Sequence, residues 1–120
     1  MIDQEWVQIN FAKVHAWLEF LKLINWKVAW AQTQGSLDVA DASSIKVFGT
    51  EKYLEAIRLL MEVFGPRGYL TANSPAALAG GRLENLYRSL LILTFGGGTN
   101  EVQRDLIGLF GLGLPRIPRH

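Results

Sequence analysis

The chain has 120 residues, no cysteine, and twelve Lys and Arg against eleven Asp and Glu, a formal charge of +1. Near-neutral charge excludes bulk electrostatic attraction to nucleic acid or an anionic membrane, and the lack of cysteine excludes disulfides, thiolate nucleophiles and sulfur-ligated metals. With 49% apolar and 19% charged residues, the composition is that of one globular domain, short for an enzyme binding both a large cofactor and a large substrate.

From about Ile2 to about Gln34 there is no Gly or Pro, and Val7, Phe11, Val14, Leu18, Leu21 and Val28 recur at helical spacing. This predicts one long amphipathic helix of roughly 50 Å, more than one small core can cover, so part of it is expected to pack on something beyond this segment. Glu5, Gln8, His15, Glu19 and Lys22 form a polar face of mixed sign, unlike a membrane-surface helix. Trp6, Trp17, Trp26 and Trp30 on the same helix are expected in core or interface packing rather than in a ligand groove. Lys13, Glu19, Lys22 and Lys27 interrupt any membrane span, and no basic start leads into an apolar run. A soluble protein is expected, and the absence of cysteine fits a reducing, cytoplasmic location.

Gln34-Gly35-Ser36 ends the first helix. A second, antiparallel helix is predicted from Ser43 or Ser44 to about Phe64, with Ile45, Phe48, Ala56, Ile57, Leu60 and Phe64 as its apolar positions and Gly49 as a point of close helix packing. Gly65-Pro66-Arg67-Gly68 breaks the pattern, and the stretch to Gly81 reads as an irregular loop. Arg82 to about Leu93 predicts a third helix. Asn100 to about Phe110 predicts a fourth, with Asn100 as N-cap and Gln103 completing a capping box. The tail from about Gly111 is expected to be flexible. Four helices without strand periodicity predict an all-α, antiparallel four-helix bundle spanning 1–120.

The chemistry of interest lies in Gly96-Gly97-Gly98-Thr99, which runs straight into the fourth helix. Glycines before a helix permit close backbone approach and present free N–H groups, so the turn is either an anion-binding candidate or a ligand-free tight connection. It lacks the Lys-Ser/Thr pair of a P-loop and the strand of a dinucleotide fold. Glu101 and Asp105 are four residues apart, but a metal site needs more ligands and neither His15 nor His120 is placed to supply them, so no metal is expected. Arg104, Arg116 and Arg119 make a basic, solvated end.

Gly98-Thr99-Asn100-Glu101-Val102-Gln103-Arg104, Ile45-Lys46-Val47-Phe48-Gly49-Thr50-Glu51, Gly65-Pro66-Arg67-Gly68-Tyr69 and Leu86-Tyr87-Arg88 occur in the order in which similar segments occur in acyl-CoA dehydrogenases. The chain resembles the C-terminal helical bundle of that family along nearly its whole length. The resemblance implies α,β-dehydrogenation of acyl-CoA thioesters with FAD, in enzymes whose N-terminal helical and middle β domains have no counterpart in these 120 residues. It further implies FAD contacts at Thr99, Gly98, Glu101, Gly65, Gly68 and Glu62, partly across a subunit interface, and partners in the form of self-association or a companion dehydrogenase subunit.

Many members carry a catalytic Glu where this chain has Gly97, so the resemblance leaves no catalytic residue here. Other members place the base on a helix upstream of the matched region. The expectation is a domain that contributes to a flavin site and an oligomer interface, meets acyl-CoA only in a complete enzyme, and does not oxidise a thioester alone. The alternative is a non-enzymatic interaction module derived from the same bundle.

Overall fold

In the computed structural model, which describes residues 2–116, α1 (Glu5–Thr33) and α2 (Val39–Phe64) are joined by a short connection, and α3 (Arg82–Leu90) and α4 (Asn100–Leu106) pack on α2. Gly35, at φ +67°, terminates α1 in the left-handed conformation that glycine adopts without strain. The second helix begins earlier than its apolar periodicity predicts. The carboxylate of Asp38 accepts from Ala40 N at 2.9 Å and caps it, adding a turn ahead of Ser43.

α2 is the central element because it is buried on two sides. Ala40, Ser43, Val47, Leu54, Ile57 and Met61 follow helical spacing on one face, while Gly49, Ala56 and Val63, seven residues apart, lie on the opposite one. The small residues of the second face let α1 approach closely: a Cβ on Gly49 would stand 3.4 Å from Leu21 Cδ1. Along the antiparallel pair, Lys52 Nζ lies 4.5 Å from the Trp17 ring centroid, Phe20 meets Phe48 edge-on at 4.7 Å, and Lys27 pairs with Asp41 at 2.9 Å.

The third helix is α-helical to Leu90 and tightens into a 3-10 turn over Leu91–Thr94, and the fourth widens into a π-turn over Ile107–Gly111. The loop between Gly65 and Gly81 is likewise not irregular throughout, since 3-10 turns occupy Gly65–Tyr69 and Leu78–Gly81. Arg67 Nε donates to Ala76 O at 3.0 Å and draws the loop together. After the π-turn, Leu112 N and Leu114 N donate back to Ile107 O and Gly108 O, so the tail keeps local order as far as Leu114. Arg119 and His120 lie outside the described residues.

The molecule is open for its length. Its radius of gyration is 17.9 Å, against about 13.6 Å for a compact chain of this length. Its accessible surface is 8336 Å², whereas a folded monomer of this mass exposes roughly 6,500 Å². Much of the excess is on α1, where only Val7, Asn10, Val14 and Ala31 are buried. Phe11 and Leu18, predicted on the packed face, are 39% and 44% exposed, although Leu18 still borders a small groove with Lys52, Tyr53 and Ala56 of α2. Trp6, Trp26 and Trp30 are also exposed; of the four tryptophans, Trp17 alone is half-buried, under Lys52. No helix among the described residues is long and apolar enough to cross a membrane.

Candidate functional site

The glycine turn is built from both of its ends. Ile92 O accepts from Phe95 N and Gly96 N at 3.0 and 2.9 Å, closing the preceding 3-10 turn. The chain then passes through Gly97 at φ +70° and Gly98 at φ +91°, a conformation that side-chain-bearing residues adopt only with strain. Thr99, not Asn100, is the N-cap of α4, and its hydroxyl accepts from Val102 N at 3.3 Å. The predicted capping box therefore does not form. Gln103 reaches back past the cap instead, and its Nε2 donates to Gly97 O at 2.7 Å.

Asn100 is released from capping because it is needed elsewhere. It is 5% exposed and inserted against α2, where Lys46 and Thr50 lie on one face and Glu51 reaches it from the flank. Its Oδ1 accepts from Lys46 Nζ at 2.5 Å, and its Nδ2 donates to Thr50 Oγ1 and Glu51 Oε1, both at 3.1 Å. The Thr50 hydroxyl donates in turn to Lys46 O at 2.9 Å. One helical turn on, Arg104 Nη2 holds both Glu51 oxygens at 2.7 and 2.9 Å, a half-exposed pair that contributes about 1 kcal/mol or less. The Lys46 ammonium also reaches Gly98 O at 2.7 Å and Thr94 O at 3.3 Å, so its three protons meet three oxygens from the two flanks of the turn.

The Glu101 carboxyl is exposed, and its own backbone N–H and then the Thr99 hydroxyl hold it below the usual carboxylate range, with Arg104 and Lys46 adding their charge. It is an ionised acceptor, the opposite of the raised carboxyl that a general base working near neutrality requires. A side chain on Gly97 would project into open space, with nothing within 4 Å of its Cβ, yet glycine leaves that position without chemistry. Among the described residues, no group of three or more His, Asp and Glu side chains is placed to hold a metal ion. An apolar groove of about 270 Å³ lies between α1 and α2, lined by Phe20, Ile24, Val28, Ile45 and Phe48 with the Lys27–Asp41 pair at its edge. It carries no acid–base pair suited to catalysis.

The residues singled out in the sequence fall into two groups. Gly98, Thr99 and Glu101 lie beside Lys46, in the N-terminal third of α2. Glu62, Gly65 and Gly68 lie at its C-terminal end, nineteen residues on from Lys46 to Gly65, or about 28 Å along the axis. Glu62 is exposed, and Gly65, at φ +62°, caps α2 by donating to Glu62 O. Gly68 is buried: its Cβ would come 3.0 Å from Phe64 Cβ and 3.2 Å from Met61 O, so packing accounts for that glycine. Sequence reasoning missed Lys46, Thr50 and Asn100 as parts of the site. The signal was present, because the segments from Ile45 to Glu51 and from Gly98 to Arg104 are the two that meet.

The model of the acyl-CoA dehydrogenase C-terminal domain matches residues 1–111. The chain belongs to the acyl-CoA dehydrogenase family. Acyl-CoA dehydrogenase FadE26 of Mycobacterium tuberculosis is 60% identical over 99% of this chain and 30% of its own length. Acyl-CoA dehydrogenase FadE29 of the same organism is 38% identical over 98% of the chain and, again, 30% of its own length. Among solved structures, the ChsE4-ChsE5 complex from Mycobacterium tuberculosis superimposes with a TM-score of 0.89 at 61% identity, and the Tcur3481-Tcur3483 steroid ACAD with 0.91 at 40%. Each match covers 97% of this chain and 30% of the solved chain. The all-helical architecture is thus that of the C-terminal domain of acyl-CoA dehydrogenases, and the chain spans about 30% of the length of the relatives it matches.

Proposed function

We propose that these 120 residues serve as the C-terminal bundle of an FAD-dependent acyl-CoA dehydrogenase, contributing a flavin contact and an oligomer face while the proton-abstracting carboxylate comes from elsewhere in the assembly. The observation that carries this reading is the glycine turn, which presents Gly98, Thr99 and Glu101 at an exposed edge while Gly97 takes the place of an acid. The donor set fits FAD at its hydroxyl-bearing parts. An ionised Glu101 accepts hydrogen bonds from ribose hydroxyls but repels a diphosphate. When bound, FAD would accept the β-hydride of the acyl thioester. Thr99 and Glu101 would orient it, and Lys46 would hold the turn that carries them.

The separation of the two groups along α2 supports contacts to two different flavins, one of them bound across a subunit interface. The open, apolar outer surface of α1 supports association with further dehydrogenase polypeptide. Two-component names among the solved relatives, ChsE4-ChsE5 and Tcur3481-Tcur3483, favour a companion chain, and the steroid ACAD favours a CoA thioester with a steroid body as substrate.

Co-expression with a companion dehydrogenase chain tests this reading. A yellow complex with a flavin spectrum, faster on a steroid-derived acyl-CoA than on a straight-chain one, is expected. A stable, colourless oligomer would favour the non-enzymatic interaction module instead. Alone, the chain is expected to self-associate through α1, because an exposed apolar face of this extent does not stay single in water. Light scattering that shows a monomer at high concentration would contradict this.

A further inference from the structure

We infer that Lys46, assisted by Gln103, is a positioning residue for the flavin-contacting turn. The inference rests on the reading above that Gly98, Thr99 and Glu101 meet FAD. Two consecutive glycines at positive φ form a segment with little intrinsic preference for one conformation, so the direction of its peptide groups must be imposed from outside. The structure supplies two tethers. Lys46 Nζ holds Gly98 O at 2.7 Å from α2, and Gln103 Nε2 holds Gly97 O at 2.7 Å from α4.

Both peptide bonds are trans, so each tether also sets the opposite edge of its peptide plane. With Gly98 O drawn toward α2, the Thr99 N–H is turned away from Lys46. With Gly97 O drawn toward Gln103, the Gly98 N–H is turned away from that side chain. The space needed for this is specific, since a Cβ on Gly98 would stand 3.0 Å from Gln103 Nε2. Lys46 is suited to the task because all three of its acceptors are neutral oxygens, Thr94 O and Gly98 O on the two flanks of the turn and Asn100 Oδ1 behind it. It clamps entry and exit of the turn with one group and acts on the flavin only through Gly98 and Thr99.

The test compares Lys46→Met, Lys46→Arg, Gln103→Leu and Thr99→Val in the FAD-loaded complex. Lys52→Met is the control, a lysine of the same helix that packs over Trp17 and not on the turn. FAD affinity is read from flavin fluorescence, mobility of the turn from amide hydrogen exchange at Gly97 to Thr99, and stability from thermal melting. Lys46→Met is expected to weaken FAD binding roughly tenfold, and Gln103→Leu by about threefold, with faster exchange in the turn. Lys46→Arg is expected to recover part of the loss. Lys52→Met is expected to leave FAD affinity within about twofold even where it lowers the melting temperature.

Equal FAD loss in Lys46→Met and Lys52→Met would overturn the inference by reducing Lys46 to a general stability role. If Thr99→Val weakens FAD while Lys46→Met and Gln103→Leu do not, the inference fails and the reading of the turn survives. If none of the three weakens it, both fail. Should Lys46→Met not fold, Gln103→Leu, altered at the half-exposed tether, decides.

Discussion

Replacing Gly81 with alanine is expected to lower the melting temperature by about 8–20 °C, whereas the same change at Gly80 lowers it by about 4–8 °C. Both glycines have left-handed backbones, at φ +70° and +61°, so both substitutions carry the strain of placing an L-residue there, about 1–2 kcal/mol. The difference is space. A Cβ on Gly80 meets nothing within 4 Å, but on Gly81 it would stand 2.7 Å from Thr71 C and 2.8 Å from Ala72 Cα. Backbone atoms cannot swing aside as the end of a side chain can, so the loop must be displaced at a further cost of about 1–3 kcal/mol. Gly81 is the residue from which α3 starts, and α3 reaches α2 through Tyr87, whose hydroxyl accepts from Arg58 at 3.2 and 3.3 Å. Thermal melts of the two variants side by side check the prediction, and equal destabilisation would refute the steric account.

Asn100→Ala is expected to cost about 2 kcal/mol, more than a surface asparagine would. The substitution removes the acceptor at 2.5 Å from Lys46 and the donors to Thr50 and Glu51 from a site that is 5% exposed. The loss is tempered because each partner keeps another contact: Lys46 keeps Gly98 O, Thr50 keeps Lys46 O, and Glu51 keeps Arg104. Groups in one network do not contribute independently. A double-mutant cycle of Asn100→Ala with Thr50→Val is therefore expected to show a coupling of about 1 kcal/mol in denaturant unfolding. Additivity of the two changes would mean that Asn100 is merely buried and not the hub of the anchor.

The long helices were legible because they are written in a repeating code. The absence of Gly and Pro before Gly35, and the apolar spacing from Ile45 to Phe64, need no knowledge of what they pack against. Boundaries were read less well where capping was decided by competition. Asp38 starts α2 a turn early because its carboxylate finds the Ala40 N–H, and Thr99 caps α4 because Asn100 is claimed by Lys46, Thr50 and Glu51. Local rules rate both Asn and Thr as good caps. Only the arrival of α2 from fifty residues away separates them.

The candidate site shows the same division. By itself the sequence determined the helical class, the family motifs in their order, the glycine turn, and the absence of an acid at Gly97, because each is a matter of residue identity and short-range spacing. Tertiary structure alone decided that the motif around Lys46 and the motif around Thr99 are two halves of one anchor, and that Gly65 and Gly68 stand far from it at the other end of α2. It also decided that α1 leaves three of its four tryptophans exposed. The physical reason is that hydrogen bonds such as Lys46 to Gly98 join groups fifty-two residues apart, and their existence depends on how the helices pack, which no local pattern encodes.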